Sequence, residues 1–170
     1  TPKLKYIILT LSVFTLANFG LYLFLLVIAN EITNTFTIPL LLFLLFNIVS
    51  ASLLIPFGKL SDKLGRKTVL MLGFILFLII SIVFIFNAHS LTAITILFAL
   101  YGAVNAMTLS NQKALISDFA GNAKGTAMGL YYFVTGLVSI AAGLIAGILW
   151  DISPQTMFTY IVAVTVLAIV

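Results

Sequence analysis

Cysteine is missing from the 170 residues, so the chain has neither a disulfide framework nor a thiolate metal site. Charged residues are scarce as well, at 7% of the chain, whereas a soluble domain carries about 25%. Hydrophobic residues fill 63% of the sequence, and its mean hydropathy is +1.30. This balance excludes a soluble globular domain and predicts an integral membrane protein.

Groups that carry chemistry are also scarce. No ionisable residue lies in the middle of a long apolar run, so the sequence offers no obvious proton relay. The single histidine, His89, lies in a turn between two runs and is interpreted as solvated. Because no nucleophile–base pair, metal cluster or phosphate loop is found, the sequence predicts no enzyme, no metal and no cofactor. Coupling to a proton or another ion stays open.

Six apolar runs predict an all-α, polytopic fold with six transmembrane helices, since most of them are near the roughly 20 residues that a helix needs to cross a bilayer. The predicted spans are 6–30, 37–57, 68–86, 91–115, 125–150 and 155–170. The last run holds only about 16 residues, and the chain begins at Thr1 without a methionine. We therefore expect residues 1–170 to be a fragment of a longer protein, truncated at both ends.

The basic residues all lie on one side of this predicted topology. They are Lys3, Lys5, Lys59, Lys63, Arg66, Lys67, Lys113 and Lys124. Since Lys and Arg collect in cytoplasmic loops, both termini are predicted to be cytoplasmic. The net charge of +4 is then a topology signal, and no nucleic-acid partner is expected.

Two spans carry polar side chains along one helix face. Span one has Thr15, Asn18 and Tyr22, and span four has Tyr101, Asn105, Thr108 and Gln112. An unpaired amide is costly in hydrocarbon, so these groups are expected to face protein or a water-filled path. Two interpretations stay open: hydrogen bonding between helices, or the lining of a solute path. For Asn47 with Ser50 in span two, we favour hydrogen bonding between helices.

Span five is rich in glycine at helical spacing. The residues are Gly125, Gly129, Gly136, Gly143 and Gly147. Small residues at this spacing let helices approach closely, so we predict a helix-packing face. A sliding contact between moving halves is the alternative. Spans three and six have no polar face and are predicted to face lipid.

The segment between spans two and three has a specific pattern. Its residues Gly58, Asp62, Lys63, Gly65, Arg66 and Lys67 form Gly-x-x-x-Asp-basic-x-Gly-basic-basic in a basic turn. This pattern resembles the loop signature of the major facilitator superfamily (MFS). The segments 113–118, 124–129 and 147–151 are similar to the passage from the fourth to the fifth helix in the second half of such proteins.

The resemblance covers the whole chain and implies the C-terminal six-helix half of a twelve-helix secondary transporter. Such a carrier works by alternating access in the plasma membrane, as an efflux- or permease-type protein for a small-molecule substrate. Its partners would be the lipid bilayer and a missing N-terminal half. The alternatives are a non-transporting six-helix scaffold or assembly subunit and, with less support, a channel.

The resemblance also assigns a conformational gate. It implies that Asp62 lies near a helix start of the missing half and helps to hold the cytoplasmic side closed. It further implies that Arg66 pairs with Asp118, and we predict that the two charged groups lie within about 4 Å of each other. Uncharged amide and phenol groups in the spans favour a neutral, weakly polar or amphipathic solute.

Overall fold

The computed structural model describes residues 2–86 and 90–170, without the side chains of residues 2 and 21–24. The predictions for His89 and for the Tyr22 side chain therefore lie outside the described residues. The described part is entirely helical, as predicted. Its helices are α1 (Pro2–Ala17), α2 (Leu21–Thr33), α3 (Thr37–Leu64), α4 (Arg66–Ile85), α5 (Leu91–Phe119), α6 (Lys124–Ile152) and α7 (Pro154–Ile169).

Helix length and composition identify a multi-pass membrane protein. In the described residues, α3, α4, α5 and α6 are long and apolar enough to cross a membrane. Helix α7 is apolar but shorter, at 16 residues. Helices α1 and α2 have 16 and 13 residues, so neither alone reaches the length of a crossing.

The first predicted span is broken in the middle. The run 6–30 was expected to be one helix, but α1 ends at Ala17 and α2 begins at Leu21. Gly20 between them has φ 89°, a left-handed conformation that glycine adopts without a steric penalty. The break places polar backbone groups of both helix ends beside Asn18. A hydrophobicity pattern alone does not reveal such a break because the apolar run continues across it.

The basic turn is shorter than predicted. Helix α3 passes through Pro56 and ends only at Leu64, so most of the segment 58–67 is helical. Gly65 alone joins α3 to α4, with φ 92° and ψ 139°. Because L side chains rarely adopt this φ, the turn requires glycine at this position.

The helices pack around α1, α4 and α5. Helix α5 lies against α3 and α4, while α7 packs on α4 and α1, and α1 also packs on α6. Aromatic rings join these elements in the core: Phe14 stacks on Phe74 with ring centroids 3.8 Å apart, and Phe84 stacks on Phe158 at 5.0 Å. The start of α1, the α3–α4 junction and the end of α5 meet at one end of the bundle, which we call the basic end.

Close helix contact occurs at glycines other than those predicted. A Cβ at Gly102 would lie 2.7 Å from the carbonyl oxygen of Phe46, and one at Gly73 would lie 2.8 Å from Cγ2 of Thr108. These glycines therefore set the distances from α5 to α3 and to α4. The predicted set on α6 has no such neighbour among the described residues. It comprises Gly125, Gly129, Gly136, Gly143 and Gly147.

Apolar surface is exposed to different extents on α4 and α6. Spans three and six were predicted to face lipid, and this stays a prediction: 44% of the most apolar stretch of α4 is buried, in part against α7. The corresponding stretch of α6 is only 11% buried. Helix α4 still presents one apolar face outward, including Ile79. Within the described chain, the most open apolar surface therefore belongs to α6.

Candidate functional site

The residues predicted to form a gate lie at the basic end. Arg66, the first residue of α4, places Nε 2.7 Å from Oδ2 of Asp118 near the end of α5. The predicted contact is therefore present, through a single nitrogen. The side chains are 34% and 48% exposed, so we expect a weak bond, about 0.2–1 kcal/mol. It ties the α3–α4 junction to the end of α5.

The other signature residues surround this ion pair on the outside of the bundle. Asp62 and Lys63 lie in the last turn of α3 and are exposed, and Lys67 is exposed in the first turn of α4. Beneath them, Ser61 is buried and its hydroxyl donates to the carbonyl oxygen of Gly58 at 2.8 Å. In the part of the chain that the structure describes, Asp62 has no ion-pair partner. Its carboxylate thus remains available at the surface.

A second group of polar side chains links α1 to α5 in the interior. The hydroxyl of Tyr101 on α5 donates to Oδ1 of Asn18 at 2.6 Å. Asn18 comes directly after α1, where the first span breaks. The two polar faces seen in the sequence are therefore brought together by the fold. Tyr101 is also held by its ring, which stacks on Phe46 of α3 at 5.2 Å.

Asn105 extends this polar group towards α3. Its Nδ2 donates to Oγ of the buried Ser50 at 2.8 Å. The prediction that Asn47 forms an interhelical contact together with Ser50 is wrong for Asn47. Its side chain is exposed and donates to the carbonyl oxygen of Phe43 in its own helix. Asn47 and Ser50 are three positions apart, but only Ser50 faces α5.

Gln112 joins α5 to α6. The hydroxyl of Tyr131 donates to Oε1 of Gln112 at 2.9 Å. Thr108, one turn earlier on α5, is 2% exposed, and its hydroxyl donates to the carbonyl oxygen of Val104. Its methyl group faces Gly73. Thr108 therefore mainly fills the α4–α5 contact, while Gln112 remains partly open.

Two neighbouring cavities border these side chains and share Asn18 and Asn105. The first, of about 290 Å³, is lined by Asn18, Gly20, Phe43, Phe46, Tyr101 and Asn105. The second, of about 200 Å³, is lined by Phe14, Thr15, Asn18, Asn105, Thr108, Leu109 and Gln112. The break in the first span thus forms part of a cavity wall. Every predicted path residue whose side chain is described lines at least one of the two cavities.

The chemistry of this site is neutral. Each bordering amide uses one polar atom in a hydrogen bond to another helix, which leaves its second polar atom for water or a solute. Lining residues of both cavities carry no charge, and the described residues hold no cluster of metal-binding side chains. The arrangement can orient a solute through donors and acceptors; it has no group for bond cleavage.

Two contributors to the polar site were not predicted as path residues. Ser50 was predicted to join helices together with Asn47. Its hydrogen bond from Asn105 was not predicted. Tyr131 lies on α6 near the glycine series, and Thr135 and Ser139 follow it at helical spacing; this polar face was not predicted to line the path. Only the fold places its hydroxyl beside Gln112.

Fold and site together define a class: a helical, multi-pass membrane protein with an uncharged polar cleft between its central helices. The family model of the Major Facilitator Superfamily matches residues 7–170. The chain therefore belongs to the Major Facilitator Superfamily. Members of this superfamily are transporters and not enzymes.

A relative from Methanocaldococcus jannaschii carries the name of an uncharacterized MFS-type transporter. It is 45% identical to this chain over 167 residues, which cover 94% of the chain and 42% of the relative. The chain thus spans less than half the length of that relative. No solved structure shows a significant match.

Proposed function

We propose that this chain is the C-terminal half of a secondary active transporter that moves a small solute by alternating access. The 42% coverage of the M. jannaschii relative supports a half-length unit. In this proposal α1 and α2 together form the first of six spans, and α3 to α7 form the others. In MFS transporters, a substrate site near the bilayer midplane lies between two halves that rock against each other.

Orientation and membrane are part of the same proposal. The basic residues favour a cytoplasmic location for the basic end, with both termini inside and the protein in the plasma membrane. The short α7 has 16 residues, which is slightly below the length of a full crossing.

The observation that carries the transport proposal is the hydrogen bond from Tyr101 to Asn18, together with the two cavities that Asn18 lines. Polar groups that only join helices need no empty space beside them. Polar groups that line a solute path do. The broken first span adds backbone groups to the same wall. Discontinuous membrane helices are tolerated where they border a cavity, because water or a solute can satisfy the freed groups.

The substrate class follows from the side chains. Amide and hydroxyl groups favour a neutral or weakly polar solute, and the rings of Phe43 and Phe46 favour one with an apolar part. Among the described residues, this chain contributes no carboxylate, lysine, arginine or histidine to the site. Coupling to a proton or other ion would therefore use residues of the other half.

The gate is proposed to act at the basic end. Arg66 and Asp118 hold the α3–α4 junction on α5, so that Asp62 at the surface can meet a helix start of the other half. The open faces of α3 and α6, with the α6 glycines, would contact that half. Such an interface leaves the polar cavities between the two halves.

An uptake assay on the full-length transporter tests this proposal. The protein in proteoliposomes is screened with neutral and amphipathic solutes, with and without a proton gradient. For a transported solute, we expect Asn105→Ala to raise the KM about fivefold, the value of one lost hydrogen bond. The matched control is Asn47→Ala, because that amide donates to Phe43 in its own helix and lines neither cavity.

The competing function is a non-transporting membrane scaffold. A scaffold predicts no gradient-dependent accumulation of any solute and no difference between the two asparagine variants. Equal effects of Asn105→Ala and Asn47→Ala on the KM would also reject the proposed site, even if transport itself is observed.

A further inference from the structure

A third cavity lies at the basic end, apart from the polar site. Its volume is about 380 Å³, within the range of small-molecule pockets, about 300–1,000 Å³. Its walls come from α1, α4 and α5, and most of the wall is apolar. The apolar wall includes Leu11, Leu70, Met71, Phe74 and Leu115. We call this cavity the basic-end groove.

Two lysines stand at the outer end of the groove. Lys3 on α1 and Lys67 on α4 both line it, and both are exposed. No carboxylate lines the groove, and the nearby Asp118 is bonded to Arg66. Among the described residues, neither lysine forms an ion pair. The mouth of the groove therefore carries an uncompensated positive charge.

The groove extends along α4. From Lys67 to Phe74 the wall descends seven residues of α4, a rise of about 11 Å. The lysines are at the start of both helices, and the deeper wall consists of aliphatic and aromatic side chains. The groove thus presents positive charge at the membrane surface and hydrocarbon-like surface beneath it.

An aromatic partition separates the groove from the polar site. Phe74 lines the groove and Phe14 lines the 200 Å³ cavity, and their rings stack at 3.8 Å. Phe14 is 1% exposed and Phe74 is fully buried. A molecule in the groove therefore does not share its contacts with a solute at Asn18 and Asn105.

We propose that the basic-end groove binds an anionic phospholipid, with its phosphate between Lys3 and Lys67 and one hydrocarbon chain along the partly exposed Ile7, Met71 and Leu115. Basic residues near the membrane surface attract anionic headgroups. A small soluble anion would leave the apolar wall exposed, and a zwitterionic lipid would gain less from the two lysines. The inference requires membrane insertion alone and does not depend on which solute is transported.

The experiment places a fluorescent reporter at the groove in the full-length transporter. Tyr6 lines the groove and is 71% exposed, so Tyr6→Trp is a conservative reporter once Trp150 and any tryptophan of the other half are replaced by Phe. The protein is reconstituted in phosphatidylcholine vesicles with increasing fractions of phosphatidylglycerol brominated on one acyl chain. We expect brominated phosphatidylglycerol to quench the reporter with an apparent affinity about 30-fold above that of brominated phosphatidylcholine.

A second reporter controls for bulk lipid. Ile79→Trp lies on the outward face of α4, where Ile79 is 51% exposed, and does not line the groove. Both brominated lipids should quench Ile79→Trp equally. If the two brominated lipids also quench Tyr6→Trp equally, the proposal is overturned. So would an absence of quenching, the result expected if another segment of the full chain fills the groove.

Charge variants assign the headgroup site. The pair Lys3→Gln and Lys67→Gln should remove the preference for phosphatidylglycerol, whereas Lys3→Arg and Lys67→Arg should keep it. The matched control is Lys5→Gln with Lys124→Gln, which removes the same charge outside the groove and should also keep the preference. Equal losses in the two Gln pairs would mean general surface attraction and reject the site.

Displacement by glycerol phosphate distinguishes a lipid from a free phosphate. We expect no displacement of brominated phosphatidylglycerol at equal concentration, because the soluble headgroup lacks the hydrocarbon chain. Displacement as effective as that by the unbrominated lipid would identify a small-anion site instead.

Discussion

At the scale of single residues, the fold depends on a few positions where size or polarity is strictly limited. Gly102 brings α5 against the backbone of α3, and Gly65 provides the single-residue junction between α3 and α4. Asn18 and Asn105 each satisfy one amide atom across a helix boundary. Such contacts bring the polar faces of different helices together while keeping part of each amide open to a cavity.

We expect Gly102→Ala to lower the stability of the full-length protein by about 1–3 kcal/mol, the usual cost of overpacking. The added Cβ would lie 2.7 Å from the carbonyl oxygen of Phe46, so α3 and α5 would have to separate. Thermal unfolding in detergent measures the change. Gly58→Ala is the control, because no atom lies within 4 Å of its Cβ position. A similar loss in both variants would contradict this account of Gly102.

At the scale of helices, two features of this chain differ from a simple bundle of continuous spans. The first span divides into α1 and α2 beside the polar cavities, and α3 continues through Pro56 into the signature segment. Consequently, Asp62 and Lys63 are on a helix rather than in a flexible loop. Their positions are then determined by the packing of α3, and the Arg66–Asp118 ion pair connects that helix end to α5.

The ion pair predicts a small, salt-sensitive coupling between Arg66 and Asp118. In a double-mutant cycle with Arg66→Gln and Asp118→Asn, we expect a coupling energy of about 0.2–1 kcal/mol, because both side chains are partly exposed. Thermal unfolding at low and at high salt gives the coupling and its screening. Strictly additive effects at low salt would show that the contact contributes nothing.

Cysteine labelling tests which helix faces meet water. In a full-length background without other cysteines, Asn18→Cys and Asn105→Cys should react with a small polar thiol reagent, since both positions line the cavities. Ile79→Cys and Leu167→Cys should stay unreactive, because these apolar side chains are exposed on the outer faces of α4 and α7. If all four positions react at the same rate, the cavities are not an aqueous path.

At the scale of the whole molecule, this chain has one well-packed side and one open side. Helices α4 and α7 pack together behind α1 and α5, whereas α6 leaves a row of glycines without neighbours among the described residues. In the proposed transporter, the open side meets the other half. The two halves would then enclose the polar cavities, and the gate would close across them at the basic end.

The gate proposal predicts a transport defect in Asp62→Asn with normal membrane insertion. A carboxylate at a helix start contributes about 0.3–1 kcal/mol, so we expect a two- to fivefold change in the transport rate. Glu31→Gln is the control, since Glu31 is an exposed acid at the end of α2, far along the chain from the signature. Normal transport by Asp62→Asn would reject the gate and show that the signature only sets the orientation of the chain in the membrane.

The sequence by itself determined the membrane class, the helical fold, the superfamily and the choice of polar residues, because hydropathy, charge position and a short motif are local properties of the chain. It also predicted the contact of Arg66 with Asp118, through the resemblance. Tertiary structure decided which residues meet. It separated Asn47 from Ser50, joined Tyr131 to Gln112, and placed the close glycine contacts within the described chain at Gly73 and Gly102. These outcomes depend on the rotation and spacing of neighbouring helices, which result from packing over the whole bundle and leave no periodic signal in any one segment.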